Sequence, residues 1–470
     1  MIFATARAEA EGSASSVGSK EEIEFKFYRW KEDYSWLAKK DESLTGYEQL
    51  KYMPLFGSPE NYISFGGEIR YRLDTFAPYL FDLNARQKDF ASNQERIMLH
   101  TDVHLSKNFR AFMQVDASTE DGRVTTRAYD QSGLDLRQGF ADFILPSADD
   151  GTLTIRLGRQ ELWLGPTRWL AVRDPTNIRR TFDGALVEYI NGGLTVRAFD
   201  AKPVIIDKGW FDDTTSEVET FKGIYAIAKK PLGAPFTVET YLMDREQESA
   251  RYARGTAREE RWTLGSRVSG DIGPVKYAVE GAYQFGTFGT ADISAFGFNS
   301  DISSGVGSLV GIPKESEIKP RLGFRTHYGT GDRNLNDGTF RTFAAPYPAA
   351  SEIAEMSLIG LSNAINISPY LQFQLPHDIF IEVNWNWVWK DTVADSAYGP
   401  PGTILTAGST ARGVAEIAEL QLEWDVNTFI KVEAVFAHVF AGDYISAAKG
   451  TDGARGSDFD YGRAQVMVRF

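Results

Sequence analysis

The chain has no cysteine among its 470 residues, which removes disulfide frameworks, thiolate metal sites and cysteine nucleophiles. Basic residues fall short of acidic ones, 50 against 64, for a formal net charge of −14. A surface of that sign repels the phosphates of DNA and RNA, so no nucleic-acid partner is expected. Long apolar runs are missing too: a spanning helix needs roughly 18–20 consecutive apolar residues, and a charged or amide side chain interrupts every run here. Histidine is scarce, with only His100, His104, His327, His377 and His438. His100 and His104 share a strand face but lie ~13 Å apart at ~3.3 Å per residue, too far for one metal ion. No Gly-x-Ser-x-Gly elbow, His-Glu-x-x-His or phosphate loop occurs. These absences argue against an enzyme and call for no metal and no cofactor.

What is abundant is aromatic and flexible: 31 Phe, 20 Tyr, 10 Trp and 43 Gly, which is too much core-forming material for a disordered chain. From Ile63 onward apolar and polar side chains alternate in segments of about ten residues, the dyad pattern of a transmembrane β-strand. In one segment Ile97, Leu99, Thr101, Val103 and Leu105 share a face opposite Arg96, Met98, His100, Asp102 and His104. In another, Ile379, Ile381, Val383, Trp385, Trp387 and Trp389 lie opposite Glu382, Asn384 and Asn386, and the tryptophans suit an interfacial aromatic girdle. About eighteen such segments run from 63–76 to 458–470, ending on Phe470. The fold class expected is all-β, a transmembrane antiparallel β-barrel of about 18 strands, the even count of single-chain bacterial barrels. Lys107-Asn108, Asn191 to Gly193, Gly270 to Pro274, Pro376 to Asp378 and Asp425 to Thr428 read as tight periplasmic turns. The connections between them read as longer, polar outer loops; 303–317 and 330–357 break the regularity. A soluble pair of β-sandwiches would also alternate, but with strands of about five or six residues.

Before the barrel, residues 1–21 read as a leader, the remnant of a signal peptide ending in small residues. Residues 22–62, with Phe27-Tyr28-Arg29-Trp30-Lys31, have no clean period. They read as a pre-barrel segment against the periplasmic end or inside the pore.

Arginine recurs on the inferred lumen face, as Arg70, Arg96, Arg110, Arg137, Arg156, Arg197, Arg267, Arg321, Arg325 and Arg463, and Arg168, Arg173, Arg179 and Arg180 crowd the connection after Arg159. Guanidinium groups suit bidentate recognition of carboxylates, and rings of charge set pore selectivity. Each arginine has an ordinary alternative, a structural ion pair in a wet barrel wall. The candidates for lining the conduit are Arg70, Arg156, Arg159, Arg321 and Arg325, with Glu68 and Glu419 as counter-charges.

The succession Tyr28-Arg29-Trp30-Lys31-Glu32-Asp33, Gly66-Gly67-Glu68-Ile69-Arg70, Arg156-Leu157-Gly158-Arg159-Gln160, Phe182-Asp183-Gly184, Lys319-Pro320-Arg321-Leu322-Gly323 and Phe440-Ala441-Gly442-Asp443-Tyr444 resembles the alginate export family of outer-membrane porins. The resemblance implies a monomeric eighteen-stranded barrel in the outer membrane of a Gram-negative bacterium, with an electropositive conduit for an anionic polyuronate. One departure is Ala415-Glu416-Ile417-Ala418-Glu419-Leu420, with Ile417 where family members commonly carry an inward carboxylate; this puts the polymer in doubt. The function expected is therefore passive conduction of an anionic substrate, an alginate-like acidic exopolysaccharide on its way out. Its expected partners are that polymer, outer-membrane lipid and lipopolysaccharide, and periplasmic export components. The alternatives are an uptake porin for small organic anions or general solutes, and a plugged, non-conducting barrel.

Overall fold

The computed structural model describes residues 23–40, 43–83, 89–123, 127–147, 149–313, 315–400, 403–406, 409–448 and 456–470; the leader expected over 1–21 lies outside the described residues. Eighteen long antiparallel strands form one closed sheet. They are β1 (Ser58–Ala77), β2 (Phe90–Leu105), β3 (Phe109–Asp121), β4 (Ser132–Pro146), β5 (Thr152–Gln160), β6 (Phe182–Asn191), β7 (Leu194–Ile205), β8 (Glu219–Lys229) and β9 (Phe236–Tyr252). The second half comprises β10 (Gly255–Ile272), β11 (Val275–Phe288), β12 (Ala291–Gly305), β13 (Lys319–Gly329), β14 (Ala364–Leu375), β15 (Ile379–Trp389), β16 (Gly413–Asp425), β17 (Ile430–Ala441) and β18 (Phe459–Arg469). Each pairs with its neighbour in sequence, and β1 pairs with β18 from Glu68↔Arg469 to Ala77↔Asp460. Closure leaves no long edge unpaired, which a membrane demands because lipid offers the backbone no hydrogen bonds.

The alternation is what sorts the two faces. Along β2 the exposed Ile97 and Leu99 flank the buried Arg96, Met98 and His100. A polar wall inside and apolar side chains outside is the reverse of a soluble protein, and the outward set needs lipid around it. The eighteen expected strands are all present, with the ninth and tenth running to 17 and 18 residues, well beyond the ~9–11 that span a bilayer. That excess corrects one expectation. The outer connections are not uniformly long: β9 turns into β10 through Ala253 and Arg254, and β11 into β12 through Gly289 and Thr290. These hairpins rise past the membrane as strand and turn only at their tips, where Gly289 takes the left-handed conformation at φ +58°. At the opposite end the turns are short, as at Gly273-Pro274 between β10 and β11, apart from 306–318, which carries a 3-10 turn at Gly307–Val310.

Candidate pore constriction

Two outer connections fold back into the barrel. The first, 161–181 between β5 and β6, brings its own apolar core, with Leu162, Leu164, Trp169, Leu170, Val172 and Ile178 buried. The wall holds it by its carbonyls and carboxylates. Arg70 on β1 donates to the Asp174 carbonyl at 3.0 Å, the Thr176 carbonyl at 2.8 Å and Asn177 Oδ1 at 3.1 Å. Arg96 on β2 bonds Glu68 at 2.6 Å and Asp174 at 3.0 Å. Burial works to raise Asp174, but the guanidiniums of Arg96, Arg179 and Arg70 hold it well below the usual carboxylate range. Glu161 shows the opposite balance: burial, only partly offset by Arg179 at 3.0 Å, pushes it up to about 7.

The second connection, 330–363 between β13 and β14, buries Phe343, Tyr347, Ile353, Met356, Ile359 and Leu361. Gln284 on β11 grips it at Ala344, donating to the carbonyl at 2.7 Å and accepting from the amide at 3.0 Å. Arg463 on β18 bonds Glu355 at 2.6 Å. The two connections meet in the lumen: Ala171 N donates to the Tyr347 carbonyl at 2.8 Å, and Tyr347 N to the Trp169 carbonyl at 2.9 Å. Beside that bridge Arg168 and Glu352 form an ion pair at 2.9 Å.

Above the crossing lies a cavity of ≈ 600 Å³ in which Arg137, Arg173, Arg179, Arg180, Arg245 and Arg251 face only two carboxylates, Glu219 and Glu352. Arg137 and Arg179 have acidic partners in Asp213 and Glu161, whereas Arg173 and Arg180 have no carboxylate in ion-pairing reach among the described residues; they lie instead against the rings of Tyr129 (4.2 Å) and Tyr347 (4.9 Å). Burial, then the neighbouring Arg180, pulls Arg173 down to about 9, and burial pulls Arg180 down to about 10. Below the crossing a narrow polar pocket is lined by Arg168, Arg325, His327, Asn384 and Glu419; Glu352 and Leu361 are common to both chambers, so they form the septum.

The residues singled out in the sequence are dispersed. Arg325, bidentate to Glu382 at 2.7 and 2.8 Å, and Glu419, which accepts from the Glu355 amide at 2.9 Å, line the lower pocket together. Arg156 is bidentate to Asp142 at 2.7 and 2.8 Å and Arg159 to Asp183 at 2.8 and 3.0 Å, each on its own stretch of wall. Arg70 anchors the first connection, Glu68 holds the Arg96 that reaches Asp174, and Arg321 bonds Ser303 beside the short turns. Arg173, Arg179 and Arg180 build the vestibule, with Glu219 turned into it, joined by Arg245, Arg251 and Glu352, which the sequence pattern did not single out; Arg168 of the same run lines the lower pocket. Arg245 shares the inward parity of Glu239, Tyr241 and Met243 on β9, the signal by which it can be found. Ile417 is inward and fully buried, so that position adds apolar wall.

A closed lipid-facing barrel with a polar lumen narrowed by two inward connections is an outer-membrane channel. The chain belongs to the alginate export family, whose description, "Alginate export", it matches over residues 61–456. No curated protein matches it. Its fold is similar to solved porins at low identity. Pseudomonas aeruginosa OccK11 (OpdR) has a TM-score of 0.54 and 10% identity over 87% of this chain and 96% of its own. Pseudomonas aeruginosa OccK2 (OpdF) in complex with glucuronate has 0.56 and 12% over 87% and 98%, and Acinetobacter baumannii OccAB1 has 0.53 and 12% over 90% and 99%.

Proposed function

We propose that the channel conducts small carboxylate-bearing solutes, of the size and charge of a uronic acid, with the arginine vestibule as its capture site. The observation that carries this is the pair Arg173 and Arg180, which carry no acidic partner among the described residues in a cavity whose ≈ 600 Å³ suits a sugar acid. Guanidiniums already locked to wall carboxylates, such as Arg156 and Arg159, offer an anion little, because breaking a desolvated pair costs several kcal/mol. The glucuronate in complex with OccK2 is a solute of this class, and the fold likeness makes it the natural probe. Export of an acidic polysaccharide is the second reading, favoured by family membership. It requires the Trp169–Tyr347 bridge and the Arg168–Glu352 pair to part, since both cross the lumen.

The test is the reversal potential of the purified barrel in a planar bilayer under a salt gradient, with glucuronate then added to one side. Anion selectivity and glucuronate block, both weakened in Arg173→Ala/Arg180→Ala, are expected. Cation selectivity without block overturns the reading. Permeation of oligouronates longer than the vestibule by the unaltered barrel would favour export.

A further inference from the structure

The aromatic run near the N-terminus has no part in the vestibule, yet it reaches the lumen. Phe25 packs on Phe429 in the short turn between β16 and β17, ring centroids 5.7 Å apart. Arg29, 3% exposed, donates to the Gly67 carbonyl of β1 and to the carbonyl of Phe470 beyond β18, each at 3.1 Å, and pairs with Glu32 at 2.6 Å. One residue on, Trp30 lies under the Arg156 guanidinium at 4.2 Å and edge-on to Phe140 at 6.4 Å, and its carbonyl accepts from Arg110. Lys31 sits over the Trp163 ring at 2.9 Å, and Arg179 covers the Phe27 ring at 4.3 Å while donating to its carbonyl at 3.3 Å.

These partners define a path. The segment leaves the short-turn end at the β16–β17 turn, crosses the β1–β18 seam and reaches the β3–β5 wall, where Arg110, Phe140 and Arg156 stand. There it presses from below on the inward connection 161–181, through Trp163 and Arg179. It thus fills the sector of lumen between that connection and the periplasmic mouth, and the lower pocket lies on other walls, β12 to β16. The contacts are of a detachable kind. They are aromatic faces and carbonyls on guanidiniums whose charge is already met by Asp102, Asp142 and Glu161, the Lys31 ammonium on a ring, and two hydrogen bonds from Arg29 to backbone carbonyls. The buried Glu32 that pairs with Arg29 is its near neighbour in the chain and moves with it, so withdrawing the segment strands no buried carboxylate of the barrel. No strand pairing joins Phe25–Lys31 to the barrel.

We propose that Phe25–Lys31 is a removable internal strap: docked, it closes one sector of the lumen beneath the constriction; withdrawn toward the periplasm, it opens a wider conduit and frees the underside of 161–181. The proposal rests on the barrel being a channel and is independent of which solute it passes. It also relates the two functional readings, since the docked state suits single sugar acids and a bulky polymer needs the strap out.

The experiment uses single-channel conductance in potassium chloride, with no organic anion present. Trp30→Ala and Phe27→Ala/Trp30→Ala are expected to raise conductance stepwise over the unaltered barrel, with open–closed flicker where the strap is loosened but retained. Because the chain is free of cysteine, Lys31→Cys/Trp163→Cys introduces the only two thiols. A reducible bifunctional thiol reagent bridging them should hold conductance at the low level, and reduction should restore whatever larger events the unbridged pair shows. Unchanged conductance in the strap variants, or larger events that persist in the bridged channel, overturns the proposal. If Trp30→Ala fails to assemble, the bridged and reduced states of the cysteine pair decide alone. Loss of anion selectivity at unaltered conductance would count against the proposed substrate class and not against the strap.

Discussion

Arg156 and the pair Arg173 and Arg180 do different jobs in this barrel, and the nearest carboxylate tells them apart. Arg156 and Asp142 are 5% and 2% exposed and bound through two hydrogen bonds. Removing the guanidinium leaves a desolvated carboxylate alone, at a cost of about 3–5 kcal/mol. Arg156→Ala should therefore lower the temperature at which the folded band of a heat-modifiable gel disappears, with little effect on selectivity. Arg173→Ala and Arg180→Ala should do the converse, shifting reversal potential toward zero while leaving that temperature within a few degrees. Sequence alternation could place Arg156 on the wall, but whether Asp142 stands opposite is a matter of strand register, which the alternation leaves open. Glu352 is the negative post of the septum. Glu352→Gln should raise anion current, because it removes both the repelling charge and the clamp on Arg168; single-channel recordings with chloride and glucuronate check this.

At the level of elements, the strands were legible and the inward connections were not. Two-residue periodicity needs only neighbours in sequence, so β1 to β18 follow from it. The connections 161–181 and 330–363 are held by remote partners, Arg70, Arg96, Gln284 and Arg463, and no local pattern announces them; Pro346 and Pro348 marked only that regular strand stops. The first connection also carries a pH dependence. Glu161 is pushed up to about 7 by burial, opposed by Arg179, Arg96 and Arg137 and reinforced by the charge of Asp174. A raised carboxyl pKa means that the docked loop binds a proton more tightly than the undocked one. Its contribution to docking is full below the ordinary carboxylate pKa and is lost as pH rises through about 7. Loop-dependent flicker should be quieter at pH 5 than at pH 8, and Glu161→Gln should flatten that difference. A dependence of opposite sign would show that the Arg179 pair, and not burial, governs the loop.

Across the whole molecule the net charge of −14 and the basic vestibule are compatible because they occupy different places. The six vestibule arginines face a shared cavity enclosed by wall and connections, whereas acidic Asp212 and Glu217 lie exposed in the connection between β7 and β8. A permeating ion beside Arg173 and Arg180 meets guanidiniums with no carboxylate in ion-pairing reach among the described residues, whereas Asp213 of that same connection is taken up by Arg137 at 3.1 Å. Salt separates the two influences. The Debye length is ~10 Å at 0.1 M and ~3 Å at 1 M, so dissolved ions screen the exposed rim acids more readily than charges lining a narrow, partly buried cavity. If selectivity came from the rim, the channel would favour cations at low salt and lose that preference as salt rises. With selectivity set at Arg173 and Arg180, anion preference should persist at 0.1 M despite the acidic exterior and weaken only partly toward 1 M, because the enclosing wall limits screening of the vestibule charges. Reversal potentials taken at a fixed concentration ratio over that range decide it: an anion-selective sign throughout supports control by the vestibule, and a cation-selective sign at low salt assigns control to the rim.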